Sequence, residues 1–214
     1  MNEEKCVIYS YETASFDVDA QKGFTPLCPD ELPVPGGADI VEELNLQASK
    51  TGFRIGSKDA HSRNAHWAAT KENPQFTKIS GADMDVRWNM HCEIGTKGFE
   101  LLDGLPDEKE YDYFVWKGIE PDMHPYGACY HDFAGTLSTG VIEFLRSENI
   151  KLVVVGGLAT DYCVKQTVLQ LLKAGFKVVV NLGACRAVYQ DDFIEVVEGM
   201  RAAGAYLVDS ANDL

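Results

Sequence analysis

The stretch VVVGGLATDYCVKQTVLQLLKAG, Val153 to Gly175, opens with a run of apolar, β-branched residues and continues into an amphipathic helical pattern. It reads as a strand feeding a helix, with Gly175 where a left-handed C-terminal cap belongs. A strand-to-helix turn aims backbone N–H groups at whatever lies in front of it. Cys163 lies three residues after Thr160 and four after Ala159, either of which can sit at the helix cap. A thiol in that position meets a positive dipole, which favours thiolate. The segment alone supports a buried core cysteine equally well, because free cysteine is among the most buried residue types.

Outward from this unit the same alternation recurs. Strand candidates are CVIYSYETASFDV, TGFRIGS, YDYFVW, KLVVVGG, FKVVVNLG and AYLVD. Helical patterns lie between them at GGADIVEELNLQASK, STGVIEFLRSEN, DYCVKQTVLQLLKAG and DDFIEVVEGMRAAG, the last two closing on Gly175 and Gly204. Such alternation predicts a three-layer α/β/α domain with a mostly parallel central sheet of about six strands and helices on both faces. Ligands of such sheets gather beyond the carboxyl ends of the strands. The segment from Ala60 to Phe99 is long and irregular, as functional loops and lids are. With no internal repeat and no linker, residues 1–214 are expected to form a single domain.

The chain has 214 residues, 45% of them hydrophobic, and a formal charge of −14. That charge argues against nucleic acid as a partner, since phosphate binding needs clustered Lys and Arg. No apolar run approaches the roughly 20 residues of a membrane span. The opening MNEEKCVIYS lacks the order of a secretion signal, so the expected location is the cytoplasm. The six cysteines, scattered along a chain too long to need staples, are expected to be reduced.

Several polar residues fall where this frame places ligands. Asp19 follows the apolar stretch ending at Val18 and opens a turn, and Lys117 ends YDYFVW ahead of Gly118. Taken singly, a solvated turn aspartate and a surface lysine are the ordinary readings. Asp59 and His61 alternate by two, so in an extended segment they point to one side. His91 would complete a set of nitrogen and carboxylate donors suited to one divalent ion, Zn²⁺, Fe²⁺ or Mn²⁺, with positions left for water or substrate. A hydrogen-bonded Asp–His surface pair is the plain alternative. His124 and His131 have no partner visible by spacing.

Together these residues resemble the nicotinamidases of the isochorismatase-like cysteine hydrolases, in the right order and over nearly the whole chain. VDAQKGF (Val18 to Phe24) is similar to the V-D-x-Q-x-x-F segment, which makes Asp19 rather than Asp17 the match for the catalytic aspartate, on the strength of Gln21 and Phe24. SKDAH matches the metal-binding D-x-H, WNMHCEIGTKGFEL resembles W-x-x-H-C-x-x-G-T-x-G, WKG carries the lysine, and GGLATDYCVKQT is close to the nucleophile signature.

The resemblance implies a triad of Asp19, Lys117 and Cys163 that hydrolyses nicotinamide to nicotinate and ammonia through a thioester, as an amidohydrolase in NAD salvage. It further implies an oxyanion hole from the N–H groups of Ala159 and Cys163, with a cis bond between Leu158 and Ala159. Phe24 and Trp88 would flank the substrate ring, and one divalent metal held by Asp59, His61 and His91 would take the ring nitrogen. Pyrazinamide is the implied second substrate. The fourth protein ligand is left open: His66 is a candidate, and water would serve equally well. Assembly into homo-oligomers is also left open. The competing readings are a metal-independent relative acting on another small amide or a vinyl ether, and a non-catalytic binding protein of the same fold, which would lose a triad member. A redox role for Cys163 lacks a C-x-x-C partner.

Overall fold

The computed structural model describes residues 10–214. Among them six strands form one all-parallel sheet: β1 (Thr13–Val18), β2 (Phe53–Asp59), β3 (Tyr113–Lys117), β4 (Leu152–Leu158), β5 (Lys177–Arg186) and β6 (Tyr206–Val208). Their spatial order is β3-β2-β1-β4-β5-β6. Each predicted strand is present. The first is shorter than its apolar run, because Ser10–Glu12 form a single 3-10 turn and Cys6 to Tyr9 lie outside the described residues.

Four α-helices pack on the sheet: α1 (Val41–Ser49), α2 (Val141–Ser147), α3 (Lys165–Lys173) and α4 (Phe193–Ala202). Strand alternation sorts them into layers. Phe16, Val153, Val155, Val178 and Val180 share a core with Val141 and Leu145 of α2, Val168 and Leu171 of α3, and Val197 and Met200 of α4. On the other face Leu44 of α1 packs with Ile40, Leu158 and Ala184. Burying a Val, Leu, Ile, Phe or Met side chain among these contributes about 1.5–3 kcal/mol of hydrophobic stabilisation. Gly175 and Gly204 close α3 and α4 at φ 93° and 109°, as their positions predict.

The strand order reverses between β1 and β4, so the crevice at their carboxyl ends is where this topology places a ligand. The sheet is tight there. Gly157 pairs with Val18, and a Cβ on it would stand 2.0 Å from the Val18 carbonyl oxygen. The segment from Ala60 to Phe99 carries isolated bridges and one 3-10 turn (Lys97–Phe99). It is nevertheless packed, around the buried Trp67, Met84 and Trp88.

Candidate active site

Asp19 is the residue after β1, and its left-handed φ of 46° breaks the strand's alternation. Asp17 therefore faces elsewhere, paired with Arg54 (Nη2 at 2.6 Å) and accepting from Tyr111 Oη at 3.0 Å. Asp19 is fully buried and accepts a 2.6 Å hydrogen bond from Ser57 Oγ. Asp59 and Lys117 end β2 and β3 and are direct partners in the ladder. Lys117 is also fully buried. Its Nζ lies 2.9 Å from Asp19 Oδ2, pairs with Asp59 Oδ1, donates to the Pro125 carbonyl at 3.2 Å and reaches Cys163 Sγ at 3.7 Å. The ends of β1 and β3 and the turn after β4 thus bring Asp19, Lys117 and Cys163 together. The surface readings of Asp19 and Lys117 do not survive this burial.

The turn carrying Cys163 differs from a regular helix start. Thr160–Val164 form one π-helical turn before α3 begins. Ala159 is extended and its carbonyl accepts from the N–H groups of Tyr162 and Val164, both at 3.1 Å. That pattern passes over the N–H of Cys163. The Leu158–Ala159 peptide is cis. Thr160 does not cap: its hydroxyl is buried without a hydrogen-bond partner.

The electrostatics correct the simple dipole picture. Burial pushes the Cys163 thiol well above its ordinary range; Lys117 pulls it down, and Asp19 and Asp59 push it further up. The resting group is a thiol, beside the Lys117 ammonium at 3.7 Å. Burial also raises Asp19, against the pull of Lys117, to about 6. Asp59 behaves oppositely. Burial alone would raise it, but Lys117 and His61 together hold it well below the usual carboxylate range. Lys117 stays protonated, because its three acidic neighbours outweigh its own desolvation.

Beside the triad lies a set of metal-ligand donors. His61 Nε2 and His91 Nε2 stand 3.5 and 3.7 Å from Asp59 Oδ2. Their other ring nitrogens are anchored: His61 Nδ1 on the Gly118 carbonyl at 3.0 Å and His91 Nδ1 on the Asn89 carbonyl at 2.6 Å. This is how a histidine ligand is oriented, with Nδ1–H donating outward and Nε2 left free. His61 Nε2 has no hydrogen-bond partner. The three residues therefore fit a divalent ion. Gly118 makes the anchor feasible, since at φ 74° a Cβ there would lie 2.6 Å from His61 Cε1.

His66, the candidate fourth ligand, is exposed and does not belong to this cluster. His124 does: donor atoms of His61, His91 and His124 all lie within 4.8 Å of one another. Spacing missed it because it arrives from the loop after β3. Gln21 and Ser57 were also missed as positioning groups. Gln21 clamps the Asp59 backbone, donating to its carbonyl and accepting from its N–H, both at 2.8 Å.

Phe24 and Trp88 are both buried and line one cavity with Asp59, His91, His124, Ala159 and Cys163. The Phe24 ring lies 5.2 Å from that of His91, and Trp88 Nε1 donates to Tyr126 Oη at 3.1 Å. Across the cavity Val188 is held by Asp161, whose carboxylate accepts the N–H groups of Val188 and Tyr189, each at 3.0 Å.

A buried Asp–Lys–Cys triad at the switch point of a parallel sheet, next to a histidine and carboxylate cluster, defines a cysteine hydrolase with a metal-ligand site. Residues 14–212 match the isochorismatase domain model, and the chain belongs to that family. It is 36% identical over 204 residues to the nicotinamidase of Escherichia coli, covering 91% of this chain and 93% of that one. Among solved structures it is similar to a nicotinamidase and pyrazinamidase of Acinetobacter baumanii, with a TM-score of 0.85, 28% identity and coverage of 95% and 98%. It also resembles the pyrazinamidase of Pyrococcus horikoshii in complex with zinc, with a TM-score of 0.72, 28% identity and coverage of 92% and 98%.

Proposed function

We propose that this chain hydrolyses nicotinamide to nicotinate and ammonia through a Cys163 thioester, with pyrazinamide as a second substrate. The observation that carries the reading is Lys117 Nζ lying 2.9 Å from Asp19 and 3.7 Å from Cys163 Sγ, fully buried beside the cavity. Asp19, a carboxylate at neutral pH, takes the proton of the Cys163 thiol as sulfur attacks the carboxamide carbon. Lys117 holds the charge of Asp19 and of the forming thiolate in place. The N–H groups of Ala159 and Cys163 receive the developing oxyanion, where one donor is typically worth about 3–4 kcal/mol. An acid poised near 6 then protonates the departing ammonia, and the same carboxylate activates the water that cleaves the thioester.

Phe24 and Trp88 supply the faces between which the pyridine ring is held. Asp59, His61 and His91 would hold a divalent ion, Zn²⁺, Fe²⁺ or Mn²⁺, which when bound supplies a Lewis acid for the ring nitrogen. The whole site is built on one sheet, so the unit of function is a single domain. Among the described residues five cysteines are free and buried, as suits a reducing cytoplasm, and no helix is long and apolar enough to cross a membrane. Ammonia release from nicotinamide by the purified protein tests the reading. A metal-independent amidase or vinyl-ether hydrolase would leave nicotinamide untouched.

A further inference from the structure

His124 is unexplained by the triad and by the Asp59, His61 and His91 set. It is buried, 3% exposed, and neither of its ring nitrogens has a hydrogen-bond partner. A buried imidazole with both nitrogens unpaired is costly unless a group other than the protein's own side chains and backbone takes one of them. Its place is held from both sides of the backbone. Its own N–H donates to the Asp83 carbonyl at 2.8 Å, and the carbonyl of the next residue, Pro125, accepts from Lys117 Nζ. The ring stacks on that of His61 with centroids 5.2 Å apart at 17°, and Trp67 closes edge-on against both, at 4.4 Å from His124 and 4.5 Å from His61.

We propose that His124 is a ligand of the metal centre, which becomes three imidazoles and one carboxylate: His61, His91, His124 and Asp59. The proposal rests on the metal-centre part of the reading above and deepens it. Donors bound at ~2.1 Å to a single ion lie roughly 3–4 Å apart. The three histidine donors already lie within 4.8 Å of one another, so small side-chain shifts bring them onto one ion. The consequence concerns coordination number. Four protein ligands fill a tetrahedral Zn²⁺, the arrangement of a closed, structural site. A ring nitrogen can then bind only if the ion expands to five or six ligands, which Fe²⁺, Mn²⁺ and Co²⁺ accommodate. The fourth ligand thus biases this chain toward metals with an expandable shell.

The test uses Co²⁺ as the probe. Metal-free protein is titrated with Co²⁺ against a chromophoric chelator, and the X-ray absorption of Co²⁺-loaded wild type counts the imidazoles. The expected results are three imidazoles and a loss of affinity of about tenfold to a hundredfold or more in His124→Ala, given that even supporting partners of ligands cost that much. The visible spectrum of bound Co²⁺ should change in His124→Ala and stay as in wild type in His66→Ala. Two imidazoles in wild type, or unchanged affinity and spectrum in His124→Ala, would overturn the proposal and leave His124 as a wall of the cavity. A spectral change in His66→Ala would overturn it too. The wild-type count needs no variant, so misfolding of His124→Ala, visible by circular dichroism, does not block the decision. Failure to release ammonia from nicotinamide would sink the proposed activity and leave these metal readouts standing.

Discussion

At the scale of single residues, the raised Asp19 and the protonated Cys163 set what substitution and pH should do. Cys163→Ala should abolish ammonia release while leaving the circular dichroism spectrum unchanged, because only the nucleophile is gone; substantial residual turnover would refute the assignment. Asp19 supplies the pH dependence. Its folded-state value lies above the ordinary ~3.9, so it adds stability below that value and loses the contribution as pH rises through about 6. At neutral pH the buried carboxylate is a destabilising element kept for chemistry. Activity should accordingly rise as pH passes about 6, and kcat/KM profiles would show that limb. Asp19→Asn should cost several orders of magnitude in rate without lowering the melting temperature. Asp17→Asn, which touches the Arg54, Tyr111 and Gln47 network away from the triad, should be mild in rate by comparison. The reverse ranking would mean the wrong carboxylate was chosen.

The elements matter because each reactive group sits at a strand end whose neighbour fixes it. Gly118, immediately after β3, offers its carbonyl to His61 and has no room for a side chain. A left-handed backbone costs a non-glycine residue about 1–2 kcal/mol, and the added methyl would push on the imidazole. Gly118→Ala should therefore lower the melting temperature and weaken Co²⁺ binding together. An unchanged metal affinity would separate the turn from the ligand. On the opposite wall, Asp161 ties the segment after β5 to the nucleophile turn through Val188 and Tyr189. Asp161→Asn replaces one acceptor by a donor that faces an N–H. The expected result is a several-fold rise in KM for nicotinamide with kcat less affected, and steady-state kinetics would reveal an equal fall in both if the clamp instead served the chemical step.

Across the whole molecule, a charge of −14 attracts metal cations but does nothing for an uncharged amide. A chelator should lower activity on nicotinamide, and added divalent metal should restore it, Mn²⁺ or Fe²⁺ more fully than Zn²⁺. Benzamide has the same shape without the ring nitrogen and should be a far poorer substrate, with His61→Ala shrinking the preference. A buried Lewis acid left without its ligand is what creates that discrimination. Equal turnover of the two amides, or full activity after thorough demetallation, would remove the metal from catalysis.

Six apolar runs alternating with amphipathic ones determine the parallel three-layer architecture by themselves, since periodicity is local information and burial on both faces follows from it. Local motifs likewise carry Asp19, Lys117, Cys163, Asp59 and His61, each at or shortly after a strand end, and His91 within the irregular segment after β2. What they leave undecided is set by how distant loops meet. His124 enters the histidine cluster from the β3 loop, and exposed His66, nearer in sequence to His61, does not. The local pattern also predicts a thiolate at a helix start. Tertiary burial of Cys163 beside two carboxylates makes it a thiol awaiting its base, because desolvation and neighbouring charge depend on what surrounds a group rather than on what precedes it in the chain.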